Sequence, residues 1–426
     1  MLMALIFAAL LIMICINIPI AVALAMCGVL GLLFTEGADS LVTIALDMYD
    51  GSTKFSLIAI PMFVLAGAIM NAGGITDRLI NFVTSIIGFI RGGLAMVNIG
   101  VSLFFAEISG SAVADVAAMG SILIPQMKKR GYSKEFSAAV TSSSASLAII
   151  IPPSIPMILY AASANTSVEQ LFVAGIVPGL LGAFGLMVLA YIFAKRYNFP
   201  TEGAFSTTRL RDTFIDALPA FTLPVIILGG IFGGFVTATE AAGLAVLAAL
   251  AVSAWYGNLD IRHLRRAMLD GGMQTAVVML LVAASVLMGG FLTRAQIPQQ
   301  LAESILSITA QQWAILLILN FFFLVVGFFL HSAAAIILVI PIVIPLITAA
   351  GIDPVHFGLV VTLNLAIGQQ TPPVASVLIT ACSVARANIW AVSKVNVWFV
   401  GVLLAVLMLC TYVPVVPMFL VEYFYR

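Results

Sequence analysis

The residues able to do chemistry in this sequence gather at two breaks. One is Thr141 to Ser154, TSSSASLAIIIPPS, and the other, 220 positions later, is Val361 to Val374, VTLNLAIGQQTPPV. Each is an apolar run interrupted by adjacent prolines, Pro152–Pro153 and Pro372–Pro373. Proline lacks an N–H and pushes away the carbonyl four residues earlier. The pairs therefore free the carbonyls of Ala148 and Ile149, and of Gly368 and Gln369. In hydrocarbon a freed carbonyl is costly unless something polar stands beside it. A broken helix at the bilayer midplane, present twice, points to a transporter's binding site.

Two polar tips supply complementary groups. Ser109, Gly110 and Ser111, in the segment EISGSAVAD, pair with the carbonyls of Ala148 and Ile149 and with Ser154. A sodium ion is hard and takes several neutral oxygens, which unwound backbone and serine offer together. The counterpart set is Gly327, Leu330 and Ser332 at the second tip, with Gly368, Gln369 and Thr371 at the second break. It is poorer in hydroxyls, so backbone carbonyls carry more of it. The same serines also satisfy broken helix ends without any ion. After each proline pair a new helix is expected, with Pro152 or Pro372 near its first position, where proline is tolerated. Its N-terminal N–H groups suit a carboxylate. Ser142, Ser144, Ser146, Ser154, Asn364 and Thr371 are the candidate substrate contacts, although Ser and Asn also act as glue between membrane helices.

Three further polar residues flank the tips. Glu107 and Asp115 are carboxylates in an otherwise apolar segment, where a charge is expensive and defaults to function. They are candidate proton or cation partners, hairpin caps, or partners of a distant arginine. His331 at the second tip reads as a helix cap or polar contact rather than a metal ligand, since no second ligand stands at helical spacing. Glu240, in the turn TATEAA, reads as structural.

The elements that must position these groups follow from composition. Apolar residues make up 62 % of the 426, charged ones 8 %, and the mean hydropathy is +1.19. That composition excludes a soluble domain and leaves room for roughly ten helical crossings of a lipid bilayer. With 18 basic and 18 acidic residues the net charge is zero, which excludes a nucleic-acid-binding surface as the main business of the chain. Residues 1–34 read as mature sequence, crossing as one tilted helix or two short ones. Residues 35–55 read as a polar connection, 56–75 as a span and 77–91 as a helix along the interface. Segment 92–127 is split at the Ser-Gly-Ser tip into halves of about 15 residues. Both ends are basic (Arg91, then Lys128, Lys129 and Arg130), so it predicts a re-entrant hairpin from the cytoplasmic side. Segment 313–347 is its counterpart, preceded by a polar arm over 293–312. The broken helices cover about 134–163 and 355–385.

At an offset of 220, Pro125 meets Pro345, Gly131 meets Gly351 and Ser111 meets His331; at 222, GGITDRL meets AQIPQQL. The flanking charges are not repeated, which predicts units entering from opposite faces. The fold expected is an all-α polytopic membrane protein of two inverted repeats, about 1–195 and 212–426. Each repeat contributes one re-entrant hairpin and one proline-broken helix to a single transporter domain.

The segments ISGSAVADVAAMGSILIPQMKKRGY, ASLAIIIPPSIPMILYA and GIDPVHFGLVVTLNLAIGQQTPPVASVL resemble the large membrane subunit of TRAP (tripartite ATP-independent periplasmic) transporters. The resemblance implies a sodium-driven importer of organic acids in a bacterial inner membrane, moving as an elevator. It implies two partners, a soluble periplasmic substrate-binding protein and a small four-helix membrane subunit. No segment before Met1 supplies the latter, so it is expected as a separate chain. His331 departs from the acidic residue common in the family pattern. The alternative is a stand-alone sodium/dicarboxylate symporter of related fold. An intramembrane enzyme is disfavoured by the lack of HExxH, GxSxG or a paired nucleophile.

Overall fold

Backbone groups in apolar segments must be satisfied within the segment, and a helix does so without water. Accordingly, the computed structural model has only helices and turns among the described residues. It describes residues 2–16, 18–258, 260–372 and 374–425; the side chains of 2–4, 7, 11, 14, 15, 43, 107–109 and 263 lie outside that description. Eight of the described helices are long and apolar enough to cross a membrane, among them Phe55–Ala72, Val168–Arg196, Gln312–Phe329 and Ser332–Ala349.

The N-terminal run is two helices, Leu2–Cys15 and Ile20–Glu36, separated before Pro19. Two stretches expected as polar connections are helical instead, Ser40–Ser52 and Ile297–Ile308. Both place apolar residues at helical spacing among their charges, and that pattern outweighs the polar composition. The hairpin halves are also longer than 15 residues. Gly93–Ser109 has 17, and Ala112–Lys129, Gln312–Phe329 and Ser332–Ala349 have 18 each. The tip costs only two residues because Gly110 turns the chain in the left-handed region (φ 57°) and Ser111 caps the next helix.

Local structure recurs at the offsets seen in sequence. Ser111 and His331 each N-cap the second helix of a hairpin, and Ser133 and Asp353 each N-cap a broken helix. Gly131 and Gly351 both have positive φ (87° and 68°), as do Gly74 and Gln296 (70° and 55°) ahead of helices Ile75–Ile87 and Ile297–Ile308. Packing is exchanged between the halves. The helix after the first break, Ile155–Ala164, lies on Ser332–Ala349 of the second hairpin. The helix after the second break, Ser376–Ala385, lies on Ala112–Lys129 of the first.

Around this core the remaining spans meet at small residues. Helix Ile20–Glu36 approaches Ile261–Arg294 so closely that a Cβ on Gly28 would stand 2.7 Å from the Met288 nitrogen. That obstacle is main chain and cannot swing aside. Gly28→Ala should lower stability by about 1–3 kcal/mol. Gly243→Ala, where a Cβ meets nothing within 4 Å, should be neutral or slightly stabilising. Thermal unfolding of the purified variants in one detergent checks both.

Candidate functional site

The first broken helix runs Lys134–Ala145, tightens to a 3-10 turn over Ser146–Ile149, and resumes as Ile155–Ala164. The second runs Pro354–Gly368 and resumes as Ser376–Ala385. The sequence places Pro152 and Pro372 near the first position of the following helices, but those helices begin later, at Ile155 and Ser376. Pro152 and Pro153 stay in the linker, Ser154 is the N-cap, and Pro156 takes the first-turn position. A residue before proline is driven from the helical region, so the first of two prolines cannot begin a helix. In the second copy Ala375 precedes the helix; Pro373 lies outside the described residues.

Each break is bridged by a serine. Ser154 Oγ donates to the Ile149 carbonyl (2.6 Å), satisfying one of the acceptors the prolines free, and accepts from the Met157 N–H (3.4 Å). Ser376 Oγ donates to Gln369 Oε1 (3.2 Å). The Gly368 carbonyl accepts from the Thr371 N–H (2.9 Å), and Thr371 Oγ1 donates to the Ile367 carbonyl (3.2 Å).

Each tip sits on its own break. A Cβ on Gly110 would stand 2.8 Å from the Pro153 carbonyl oxygen. A Cβ on Gly368 would stand 2.6 Å from the Gly327 Cα, and the Val374 N–H donates to the Phe328 carbonyl (3.3 Å). Both tip–break pairs open on one cavity of 610 Å³. Ala112, Ile155, Ser332 and Ser376, the first residues of four different helices, all lie on its wall. So do Gly110, Ser111, Ile149, His331 and Gln369, while Val64 on one neighbouring span and Met273, Gln274, Val277 and Val278 on another close it. The lining residues include hydroxyls, amides and one histidine but no Lys, Arg, Asp or Glu. His331 caps its helix, Nδ1 accepting from the Ala333 N–H (3.4 Å).

Other candidates are off the wall. Ser142, Ser144, Ser146 and Asn364 are fully buried and held in hydrogen bonds between helices. Ser142 Oγ donates to Gln370 Oε1 (2.7 Å), and Ser144 meets Ser102 (2.9 Å) and Asn98 (3.4 Å). Asn364 donates to Asn320 Oδ1 (2.6 Å), and Asn320 to Thr411 Oγ1 (3.2 Å). Asp115 is buried in the first turn after the first tip, where the helix dipole favours a carboxylate. Ala148 is buried in the 3-10 turn, and the side chains of Glu107 and Ser109 lie outside the described residues. Glu240 completes a capping box with Thr237. Sequence reasoning passed over Gln370, Asn396, Ser376 and Thr380. The signal for the first two was an amide inside an apolar stretch, which needs a partner there.

A family model described as the tripartite ATP-independent periplasmic transporter DctM component matches residues 7–416. The chain belongs to the DctM family. It is 35% identical to the C4-dicarboxylate TRAP transporter large permease protein DctM of Vibrio cholerae, over 97% of this chain and 96% of that one. It is 37% identical to the sialic acid TRAP transporter large permease protein SiaM of Vibrio cholerae, over 78% of each. The isethionate TRAP transporter permease protein DctMQ of Oleidesulfovibrio alaskensis is 37% identical over 95% of this chain, which spans 64% of that relative. Among solved structures, the Alcanivorax borkumensis YdaH transporter superposes with a TM-score of 0.65 over 89% of each chain at 13% identity, a likeness of fold. As a DctM component the chain is a transport protein rather than an enzyme, a multi-pass protein of the bacterial inner membrane.

The Ser154 bridge is open to test. Ser154→Ala strips a cap and leaves the Ile149 carbonyl without that partner, costing about 1–3 kcal/mol. Ser154→Thr, which keeps the hydroxyl, should lose less. An alanine variant as heat-stable as wild type would show that the break does not rest on this contact.

Proposed function

We propose that this DctM component is the large membrane subunit of a sodium-driven importer of organic acids. A periplasmic binding protein delivers the substrate, and a small four-helix membrane subunit completes the complex. The observation that carries the reading is the convergence of four helix N-termini, two tips and two breaks on one cavity. Helix N-termini present unpaired N–H groups and positive dipole ends, which suits a carboxylate where no lysine or arginine stands. The helix ends arriving at the same breaks present carbonyls, which suits a cation. The groups that the tips and breaks offer are neutral carbonyl and hydroxyl oxygens, which suit an alkali ion. One set is Ser109, Gly110 and Ser111 with Ala148 and Ile149; the other is Gly327 and Ser332 with Gly368, Gln369 and Thr371. Ser154 and Thr371 are the nearest of the candidate substrate contacts to the breaks. The names of the relatives support an acid as substrate: C4-dicarboxylate, sialic acid, isethionate.

The reading includes two inverted repeats, about 1–195 and 212–426. The paired caps, the paired positive-φ residues and the exchanged helices support the repeat. Opposite insertion predicts that single cysteines replacing Lys129 and Ala349 label from opposite faces of the membrane. Labelling of both from one face would exclude inversion. In this reading hairpins and broken helices move together as an elevator against spans such as Phe55–Ala72 and Ile261–Arg294.

Coupling is tested in proteoliposomes holding both membrane subunits, supplied with the binding protein and the acid that co-purifies with it. Uptake should need a sodium gradient and ignore ATP. Ser111→Ala and Thr371→Ala should each raise the sodium concentration for half-maximal uptake roughly ten-fold, the equivalent of about 1.4 kcal/mol for one lost oxygen ligand. Undiminished uptake on a proton gradient without sodium would overturn the coupling and turn attention to Glu107 and Asp115.

A further inference from the structure

Gln370 neighbours Gln369 on the cavity wall but is itself 1% exposed and spends its side chain on the other broken helix. Its Nε2 donates to the Ser142 carbonyl (2.6 Å) and to the Ser146 hydroxyl, while its Oε1 accepts from Ser142 Oγ (2.7 Å). Asn396, on helix Ile389–Tyr412, holds it from a third side: Nδ2 donates to Gln370 Oε1 and to the Gln370 carbonyl, each at 3.2 Å. Ser143 Oγ in turn donates to Asn396 Oδ1 (2.7 Å). One amide thus clamps the last turn of the first helix before its break to the turn that forms the second break.

We propose that Gln370 is a positioning residue that couples the two breaks, so that an ion held at one raises the affinity for an ion at the other. The proposal rests on the sodium reading above. Ser142 stands in the last turn before, and Ser146 opens, the 3-10 turn that delivers Ile149 to the cavity. Gln370 lies between Gln369 and Thr371, both in the second candidate ion set. A shift of either break therefore alters the hydrogen-bond geometry at the amide and is felt at the other. When one ion orders its break, the amide and its partners are already held, and the second ion meets less conformational freedom to remove. Such coupling is reciprocal by thermodynamic necessity. The clamp exists once, not twice, because the position 220 residues before Gln370 is Ile150, which has no amide.

The competing role is plain interhelical glue, and a second buried amide provides the comparison. Asn320 joins Asn364 and Thr411 across three helices and bridges no break. The test uses the full-length protein in detergent, with sodium chloride exchanged for choline chloride at constant ionic strength. Thermal unfolding is followed by the fluorescence of its four tryptophans. Wild type should be stabilised by sodium along a sigmoidal curve. Gln370→Met, which keeps volume and removes the amide, should raise the sodium midpoint about ten-fold and flatten the curve to that of independent sites. Ser146→Ala, removing one partner, should move both in the same direction by less, and it serves if Gln370→Met does not fold. Asn320→Leu should unfold at lower temperature with the wild-type sodium midpoint and steepness. A wild-type curve in both Gln370→Met and Ser146→Ala, or the same flattening in Asn320→Leu, overturns the coupling. A wild-type curve with the slope of independent sites also overturns it while leaving the ion sites standing. No sodium response in wild type overturns the ion reading and the coupling together.

Discussion

Two helices interrupted inside one apolar core leave carbonyl and N–H groups that have no water to turn to. Satisfying them is the constraint on which the rest of the arrangement depends. The solution is local first. Ser154 takes the Ile149 carbonyl, Ser376 bridges to Gln369, and Thr371 turns back on Gly368 and Ile367. It is then tertiary, as each hairpin tip is pressed onto its own break through glycine, Gly110 against Pro153 and Gly327 against Gly368. A larger residue at either contact would hold the tip away and leave the break open.

The same constraint sets the chemistry of the cavity. Because the tips and breaks meet there, much of the wall is built from helix ends, with two neighbouring spans closing it by their sides. Four N-termini bring positive dipole ends, and the preceding C-termini bring carbonyls. A cavity so made can meet opposite charges without containing a lysine, arginine or carboxylate on its wall. That matters inside a membrane, where an ionised side chain is costly to bury and a backbone dipole is already accounted for by the helix it belongs to.

The two halves show matching local structure around their tips and breaks. The caps at Ser111 and His331, the turns at Gly131 and Gly351, and the exchanged helices Ile155–Ala164 and Ser376–Ala385 repeat one plan. The polar pairs follow it as well. Asn98 with Ser144 in the first half answers Asn320 with Asn364 in the second, 222 and 220 positions on. Gln370 departs from the plan, and through it the two breaks are joined rather than merely adjacent.

What the sequence by itself determined is the membrane class, the two breaks, the two tips and their repetition. Those features are written in hydropathy and in residues whose backbone behaviour is local: proline without an N–H, glycine at positive φ, serine as a cap. Tertiary structure alone decided what each serine of the first break meets. Ser142, Ser144 and Ser154 stand within 13 positions of one another, yet two face neighbouring helices and the third bridges the break. A helix of nearly uniform hydropathy does not reveal which of its sides faces a partner, so orientation was not legible there. It also decided that Pro152 and Pro153 stand outside the helix they precede. The pairing of Gln370 with Ser142, 228 positions apart, follows from two half-helices being packed side by side. No local rule carries that information, because a hydrogen bond between distant segments depends on where the fold brings them.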